Sequence, residues 1–432
     1  MSPSGGEGLL TCVDYGGPAM DVSVEAVGAD DGAAPAAPAS GRRSRRERRE
    51  TAASGPLVVD VDVVVIGAGQ AGLSAGYHLR RAGFAAVGTP GWERAERTFV
   101  VLDENPRPGG AWQHRWPALT MGAAHRVNDL PGMTLRPAEE DEPAALVVPE
   151  YFSQYEEAFE LQVQRPVRAE RVADDGTGRL LVSTHHVEHP DEAVMWRARG
   201  LVNASGTWTR PFWPAYPGQW TFRGRQLHTH DFRTAEELAD GPVVVVGGGT
   251  SAVQILLLLA PLTPTTWVTR RPPQWVDAEF TPEYGRDSVA KVAERTAAGL
   301  PPGSVVSATG IPLTAAYREG IASGVLLARP AFERVVSDGV VFPPGPPPAG
   351  WVDGPTKVEA RTLLWATGFR AALDHLAPLG LRTAGGGIVM DGTQVASDHR
   401  VQLIGYGPSA STIGANRAGR EAVQNLLRLV GR

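Results

Sequence analysis

Two stretches of the chain combine a short run of β-branched residues, a cluster of glycines and a helical pattern. In the first, apolar residues fill nearly every position from Val61 to Ile66. A run without polar alternation is typical of a parallel strand buried on both faces. Gly67-Ala-Gly69-Gln-Ala-Gly72 follows at once, and a helical pattern then extends from Leu73 to Arg81. Strand, glycine turn and helix in this order predict a unit that binds a dinucleotide.

The small residues of this first turn have separate physical reasons. Gly67 permits the tight turn, Gly69 lets the backbone approach a pyrophosphate, and Gly72 lets helix and strand pack closely. Gln70 and Ala71 lie beside them, where the helix N-terminus faces the phosphate charge. The next predicted strand, RTFVVLDEN, ends in the two acids at positions 103 and 104, Asp103 and Glu104. A carboxylate at this point accepts hydrogen bonds from a ribose diol.

The pattern recurs in GPVVVVGGGTSAVQILLLLA, where another β run leads into a second glycine turn. The candidate nucleotide contacts in this turn are Gly247, Gly249, Thr250 and Ser251. The strand that follows, TTWVTRRP, ends in Arg270 and Arg271 instead of an acid. A 2′-phosphate needs cations, and arginine binds phosphate with two parallel hydrogen bonds. The second unit is therefore predicted to bind NADPH in preference to NADH.

An acid in one unit and arginines in the other indicate FAD in the first and NADPH in the second, with hydride passing from nicotinamide to flavin. The motif GGAW at residues 109–112 follows the first acid, and its candidate flavin contacts are Gly110, Ala111 and Trp112. A core position for Trp112 is the alternative.

Two further segments, LVNASGTW (201–208) and LLWATGFR (363–370), each end a β run in small residues, and the second contributes Thr367 and Gly368 as cofactor contacts. We interpret them as crossings between domains. The predicted fold is α/β, with two Rossmann-like dinucleotide-binding domains and the NADPH domain inserted into a discontinuous FAD domain. The expected boundaries are a disordered tail at 1–55, the FAD domain at 56–208 and 359–432, and the NADPH domain with its linkers at 209–358.

The amino-acid composition excludes several classes of protein. The 432 residues have 42% hydrophobic content and a net charge of −6, which gives no general attraction to nucleic acid or to an anionic membrane. The longest apolar run, VQILLLLAPL, is too short to span a bilayer. A lone cysteine, Cys12, rules out a redox-active cysteine pair and favours a reducing cytoplasm. We expect a small-molecule substrate and leave homo-oligomerisation open.

The segment FRGRQLHTHDF places His228, His230 and Asp231 close together. Alternate residues of an extended segment share a face, so two imidazoles and a carboxylate there could bind a metal or act as a base. A solvated polar linker is the simpler interpretation, and the segment alone favours it.

Taken in order, Gly67–Gly72, PGGAW, NASGTW, Phe222-x-Gly224-x-x-x-His228-x-x-x-Phe232, Gly247–Ala252 and WATGF resemble flavin-containing monooxygenases over residues 58–432. The resemblance places His228 on the interdomain linker, where it tunes the coupling between NADPH binding and the flavin, and it implies no metal ligand there. Phe232 stands where related Baeyer–Villiger enzymes usually have tryptophan, which favours heteroatom oxygenation.

The resemblance implies that NADPH reduces FAD and that molecular oxygen then forms a flavin C4a-hydroperoxide, which oxygenates an amine nitrogen or a sulfide sulfur. Typical members have an asparagine near the position of Gly122 that helps to hold this intermediate. Here Asn128 and Asp129 are the candidates for that catalytic role. The rivals are Baeyer–Villiger ketone oxidation, a reductase that passes flavin electrons to a protein such as ferredoxin, and a non-catalytic flavoprotein sensor.

Overall fold

A computed structural model describes residues 57–124, 127–277, 290, 292–303 and 310–431. The predicted N-terminal tail lies outside the described residues, so its disorder stays a prediction. In the described part of the chain, no helix is long and apolar enough to cross a membrane.

The strands, in chain order, are β1 (Leu57–Ile66), β2 (Ala85–Ala86), β3 (Thr98–Leu102), β4 (Val167–Asp174), β5 (Leu180–His186), β6 (Ala193–Asn203), β7 (Arg225–His228), β8 (Val243–Val246), β9 (Thr265–Val268), β10 (Trp275–Val276), β11 (Ile311–Pro312), β12 (Ala328–Arg329), β13 (Arg334–Val336), β14 (Gly339–Val341), β15 (Lys357–Glu359), β16 (Thr362–Trp365), β17 (Met390–Asp391), β18 (Gln394–Val395) and β19 (Asp398–Leu403).

The α-helices with defined bounds are α1 (Gln70–Arg81), α2 (Ala144–Ala158), α3 (Thr250–Leu259), α4 (Ala315–Ala322) and α5 (Thr412–Val430). Short 3₁₀ helices occupy Trp92–Arg94, Gly110–His114, Gln219–Thr221, Glu236–Leu238, Asp374–Leu379 and Gly407–Ser409.

The first sheet is built around β1, which pairs in parallel with β3 on one side and β6 on the other. Its main path runs β17-β18-β19-β6-β1-β3-β2, and β5 and β4 extend from β6 as antiparallel strands. Val63 and Val65 face a core shared with α1, α2 and α5, whereas Val64 and Ile66 face the opposite core. Burial on both faces explains the unbroken apolar run and confirms the predicted parallel strand.

The second sheet has the order β12-β9-β8-β16-β7, and all its pairs are parallel. Val243 and Val245 pack against α3, while Val244 and Val246 pack under the small antiparallel sheet β13-β14-β15. The chain leaves the first sheet after β6 and returns to it at β17–β19. The predicted α/β fold with an inserted dinucleotide-binding domain is therefore confirmed.

The two crossings predicted from sequence meet in space. Phe212 N donates to the carbonyl of Gly368 (2.9 Å), and Thr367 Oγ1 donates to the carbonyl of Phe212. Pro211 and Phe369 form an isolated bridge. The outgoing and returning connections thus support each other at the junction of the two domains.

Two local expectations need correction. Helix α1 begins at Gln70, three residues before the predicted start at Leu73, so Gly72 lies inside the helix. A Cβ on Gly72 would come within 1.8 Å of the Gly67 carbonyl oxygen, which is why a helix-disfavouring residue is tolerated there. His228 is the last residue of β7, an edge strand of the second sheet, and does not lie on a linker.

Candidate functional site

A cavity of about 640 Å³ begins at the first glycine turn and follows the carboxyl ends of β1, β3 and β6. Its lining includes Gly67, Gly69, Gln70, Ala71, Asp103, Glu104, Gly110, Ala111, Trp112, His114, Arg115, Ser205, Thr207, Trp208, His375 and Ser411. Ligands of open α/β sheets bind at this edge, and the volume lies within the usual range for ligand pockets.

In the first turn, Gly67 packs against a neighbouring carbonyl group, whereas Gly69 faces open space. A Cβ on Gly67 would lie 2.5 Å from the carbonyl oxygen of Ala204, and Gly67 has a φ of +96°. Gly69 has an ordinary φ of −82°, and a Cβ built there meets no atom within 4 Å. Gly110 packs on this turn, because its Cβ would lie 2.9 Å from the Cα of Gly69. The space beside Gly69 is a cradle that a side chain would fill.

Of the two predicted acids, Asp103 is directed at the glycine turn. Its Oδ2 accepts a hydrogen bond from Ala68 N (2.7 Å), its Oδ1 accepts from Asn105, and the residue is 3% exposed. Glu104 instead forms an ion pair with Arg168 (2.9 Å) at the edge of the cavity. Asp103 is therefore the better placed carboxylate for a ribose.

Arg115 was missed by the sequence analysis. Its guanidinium carbon lies 4.9 Å from the ring centroid of Trp208 and 5.9 Å from that of Trp112. No carboxylate pairs with it among the described residues, and burial lowers the pKa of its guanidinium to about 10. Trp112 lines the cavity and also packs against two hydrophobic cores, so its contact with a flavin stays a prediction. The only sequence signal for Arg115 was its position three residues after the GGAW motif.

An aromatic cluster at the domain junction, which we call the junction cluster, consists of His114, Trp208, His230 and Phe369. The ring of Trp208 stacks on His114 (5.6 Å between centroids, 8° between planes) and on Phe369 (5.1 Å, 24°), and it lies 4.9 Å from His230. These residues come from the segments after GGAW, β6, β7 and β16. The motifs recognised separately in the sequence therefore converge on one site.

The two histidines of the segment FRGRQLHTHDF, His228 and His230, differ in their surroundings. His228 is fully buried, its Nδ1 accepts from His230 N (3.0 Å), and its Nε2 bonds to the carbonyl of Gly368 (3.0 Å). Since Nδ1 accepts, the proton is assigned to Nε2, and burial lowers the pKa of the imidazole to about 4. Both ring nitrogens are thus used by the backbone. His230 is held by Asp231 (Nδ1 to Oδ1, 2.7 Å).

The predicted catalytic pair Asn128 and Asp129 lies on a loop that is tied to helix termini. Gln70 Nε2 donates to the carbonyl of Asn128 (3.1 Å) and to Asn416 Oδ1 (3.0 Å), and Asn416 Nδ2 donates to the carbonyl of Asp129. The carboxylate of Asp129 accepts from Leu135 N (3.0 Å). Neither side chain lines the cavity, so their catalytic role stays a prediction.

In the second turn, likewise, Gly247 packs against a carbonyl group and Gly249 faces open space. Gly247 has a φ of +148°, and a Cβ there would lie 2.1 Å from the carbonyl oxygen of Ala366. Gly249 has a φ of −106° and open space at the Cβ position. Thr250 and Ser251 form the first turn of α3.

Arg270 and Arg271 follow β9 at the same edge of the second sheet. Both are exposed, and neither has an ion-pair partner among the described residues. Thr367 and Gly368, in contrast, make the interdomain hydrogen bonds described above and do not line the cavity. Their predicted contact with a cofactor stays a prediction.

This architecture defines a two-nucleotide oxidoreductase, and comparisons with known proteins place it more closely. The profile of a family described as pyridine nucleotide-disulphide oxidoreductase matches residues 64–289. A flavin-containing monooxygenase from Stenotrophomonas maltophilia is 33% identical, with 85% of this chain and 98% of that chain covered at a TM-score of 0.66. Cyclohexanone monooxygenase, 18% identical with a TM-score of 0.57, shares the fold. The chain therefore belongs to the flavin-containing monooxygenase family, whose members use FAD and NADPH with oxygen.

Curated relatives match over a shorter region. The uncharacterised oxidoreductase CzcO of Bacillus subtilis is 29% identical over 199 residues, which are 46% of this chain and 52% of that protein. Indole-3-pyruvate monooxygenase YUCCA1 of Oryza sativa subsp. japonica is 29% identical over 195 residues, 45% of this chain and 44% of that protein. The chain thus spans about half the length of the curated relatives that it matches.

Proposed function

We propose that this chain is an FAD- and NADPH-dependent monooxygenase that adds one oxygen atom to an amine nitrogen or a sulfide sulfur. The observation that supports the proposal best is the cavity that starts at the open position of Gly69 and reaches the junction cluster through Trp208. In the balanced reaction, substrate, NADPH, one proton and molecular oxygen give the oxygenated product, NADP⁺ and water.

The residues of the first domain fit FAD. The empty space beside Gly69 suits a pyrophosphate that approaches the backbone at the N-terminus of α1. Asp103 is the acceptor for a ribose diol, and the unpaired guanidinium of Arg115 suits an anionic part of a ligand in the same cavity. When bound, FAD would accept hydride from NADPH and activate oxygen.

The residues of the second domain fit NADPH in the same way. Gly249 leaves room for the pyrophosphate at the N-terminus of α3. Arg270 and Arg271 offer exposed guanidinium groups at the end of β9, where a 2′-phosphate is expected, and neither forms an ion pair with any residue that the structure describes.

The protein's own side chains would bind and orient the substrate and would exclude water from the site. The indole rings of Trp112 and Trp208 and the ring of Phe369 would limit water at the junction. The guanidinium of Arg115 lies within 5.9 Å of both indole centroids. Asn105 Oδ1 holds His114 Nε2 at 2.7 Å, so the stacking partner of Trp208 is fixed in orientation. Preorganised rings of this kind suit an organic substrate that is small and apolar next to its reacting heteroatom.

The rival function is electron transfer from flavin to a protein acceptor such as ferredoxin. Reduction of a disulfide through an internal cysteine pair does not fit, since the sequence contains one cysteine. The specific motif F-x-G-x-x-x-H before the second glycine turn favours oxygenation over the ferredoxin alternative.

The decisive experiment measures oxygen uptake by the FAD-loaded protein with NADPH across a panel of amines, sulfides and ketones. Product formed in ¹⁸O₂ is analysed by mass, and hydrogen peroxide is counted separately. We expect one labelled oxygen atom in an amine or sulfide product. Label in a ketone-derived ester would replace heteroatom oxygenation by Baeyer–Villiger oxidation. NADPH oxidation that needs ferredoxin and no organic substrate would support the reductase instead.

A further inference from the structure

Arg329, the last residue of β12, has an unusual environment for an arginine. It is 8% exposed, and its guanidinium carbon lies 3.6 Å from the ring centroid of Phe342. The backbone of Gly354 packs closely against the same guanidinium group: a Cβ added to Gly354 would lie only 3.1 Å from the guanidinium carbon. A cation is therefore enclosed between an aromatic ring and a glycine.

This guanidinium has no hydrogen-bond acceptor in the described part of the chain. Its Nε and Nη1 atoms are both sealed from solvent and unpaired, whereas Nη2 is not sealed in this way. The charge of Asp353 acts on the group, yet the two residues form no ion pair, and burial lowers the pKa of Arg329. A buried cation without a partner is costly, and a stacked ring offsets only part of that cost. Buried polar groups in folded proteins nearly always have a hydrogen-bond partner, so the unpaired nitrogen atoms of Arg329 call for an explanation.

The place of Arg329 in the second sheet connects it with the predicted phosphate site. β12 pairs with β9, Arg329 lies opposite Val268, and Thr269 N donates to the carbonyl of Arg329 (3.0 Å). The next residue along is Arg270. Residues paired across a sheet share a face, which puts Arg329 on the face of Val268. Arg270 follows Val268 by two residues, in a bend just beyond the end of β9.

Contacts of Tyr216 connect Arg270 with the face of the sheet that carries Arg329. Burial raises the pKa of Tyr216, and the nearby charge of Arg270 opposes this shift. The ring of Tyr216 stacks on Trp365 (5.7 Å between centroids) and packs on Phe332 (4.3 Å). Phe332 in turn meets Phe342, the ring under Arg329 (6.2 Å). Arg270 and Arg329 therefore border the same aromatic layer.

We propose that Arg329 forms the inner part of an anion subsite that takes the 2′-phosphate of the nucleotide, with Arg270 at its outer side. The inference rests on the proposed use of NADPH and adds a residue that no motif indicated. The enclosed guanidinium supplies a donor that is fixed in position, and the exposed arginine supplies a mobile one. A phosphate bound through Nη2, the nitrogen that is not sealed, gives the Arg329 cation the anionic partner that the described residues do not provide.

The test compares 2′,5′-ADP with 5′-AMP, which differ in the 2′-phosphate alone, by calorimetric titration of the FAD-loaded protein. The variants are Arg329→Met, which keeps volume and burial, and Arg329→Lys, which keeps charge but loses the planar fork. Arg334→Met is the matched control, an exposed arginine on β13 of the neighbouring small sheet. We expect Arg329→Met to weaken 2′,5′-ADP binding about tenfold and to leave 5′-AMP binding unchanged.

Arg334→Met should bind both nucleotides like the wild type. If Arg329→Met does not fold, Arg329→Lys decides, and a selective loss of 2′,5′-ADP affinity in it supports the subsite. Unchanged nucleotide discrimination in every folded Arg329 variant would overturn the inference and leave Arg329 as a packing residue. If only the double variant Arg270→Ala, Arg271→Ala loses discrimination, NADPH use stands and this inference falls. Selective loss in Arg329→Met without any oxygenated product would support the subsite and reject the monooxygenase proposal.

Discussion

At the scale of single residues, the two glycine turns show which glycines serve the fold and which serve a ligand. Gly67 and Gly247 have positive φ values, and a Cβ on either would collide with a carbonyl oxygen of a neighbouring crossing. Gly69 and Gly249 have ordinary φ values and face empty space. Nothing among the described residues requires glycine at the latter pair, which supports the predicted nucleotide contact at both positions.

A reciprocal pair of substitutions tests the prediction that Gly69 and Gly249 contact bound nucleotides. Gly69→Val should abolish copurified FAD, because the new side chain occupies the space next to the backbone that the pyrophosphate approaches. Its unfolding temperature should equal that of the FAD-free wild type, since bound FAD itself stabilises the folded protein. Gly249→Val is the matched control, which should retain FAD and lose affinity for NADP⁺. Flavin content is measured by absorbance after denaturation and NADP⁺ affinity by calorimetry. Normal flavin content in Gly69→Val would place the FAD elsewhere.

The exposed arginines give a second prediction at this scale. The double variant Arg270→Ala, Arg271→Ala should raise the KM for NADPH about tenfold, because charge-assisted hydrogen bonds to the 2′-phosphate are lost. The KM for NADH and the flavin reduction rate at saturating NADPH should change little. Steady-state and stopped-flow kinetics measure these quantities. An equal loss for both nucleotides would mean that the arginines do not read the 2′-phosphate.

At the scale of elements, His228 joins the end of β7 to the turn after β16. It satisfies a backbone donor at His230 and a backbone acceptor at Gly368, and it is 0% exposed. The contact joins the last residue of β7 to the crossing that follows β16 and returns to the first domain. A motif residue that looks like a metal ligand in the sequence is therefore a buried connector of backbone segments.

His228→Ala should lower the free energy of unfolding by about 2 kcal/mol, because buried backbone groups lose their partner and a cavity is created. NADPH-dependent turnover should fall, since the junction cluster loses the support of β7. His399→Ala, at an exposed histidine of β19, is the control and should change stability by less than about 0.5 kcal/mol. Urea unfolding provides both numbers. Stoichiometric zinc or iron in the wild type that is lost in His228→Ala would restore the metal hypothesis.

At the scale of the whole molecule, buried imidazoles link stability to pH. Burial lowers the pKa values of His78, His228 and His375 from 6.5 to about 4. Between these values the unfolded chain binds protons that the folded protein does not, so stability rises with pH in this window.

The contribution should be complete above about pH 6.5 and should be lost progressively as the pH falls toward about 4. Urea midpoints measured at several pH values across this range should therefore decrease steadily on acidification. His228→Ala should show a shallower decrease than the wild type, since one titrating site is removed. A midpoint that stays constant from about pH 6.5 to 4.5 would contradict the assigned burial.

Most of the local architecture was accessible from the sequence because strand, glycine turn and helix are specified by neighbouring residues. The apolar runs at Val63–Val65 and Val243–Val246 predicted strands buried on both faces, and the turns after them predicted the nucleotide sites. The start of α1 was missed by three residues, since the packing of Gly72 against the Gly67 carbonyl is a contact between elements.

The sequence by itself therefore determined the fold class and the two glycine turns, since each depends on chain-local conformation. Only the tertiary structure decided the rest. It directed Asp103 at the glycine turn, paired the crossings at Phe212 and Gly368, and brought Arg115 close to two indole rings. It also left Arg329 buried with no acceptor among the described residues. These features depend on the approach of segments far apart in the chain, and on the removal of water that this approach causes, which no local pattern of residues encodes.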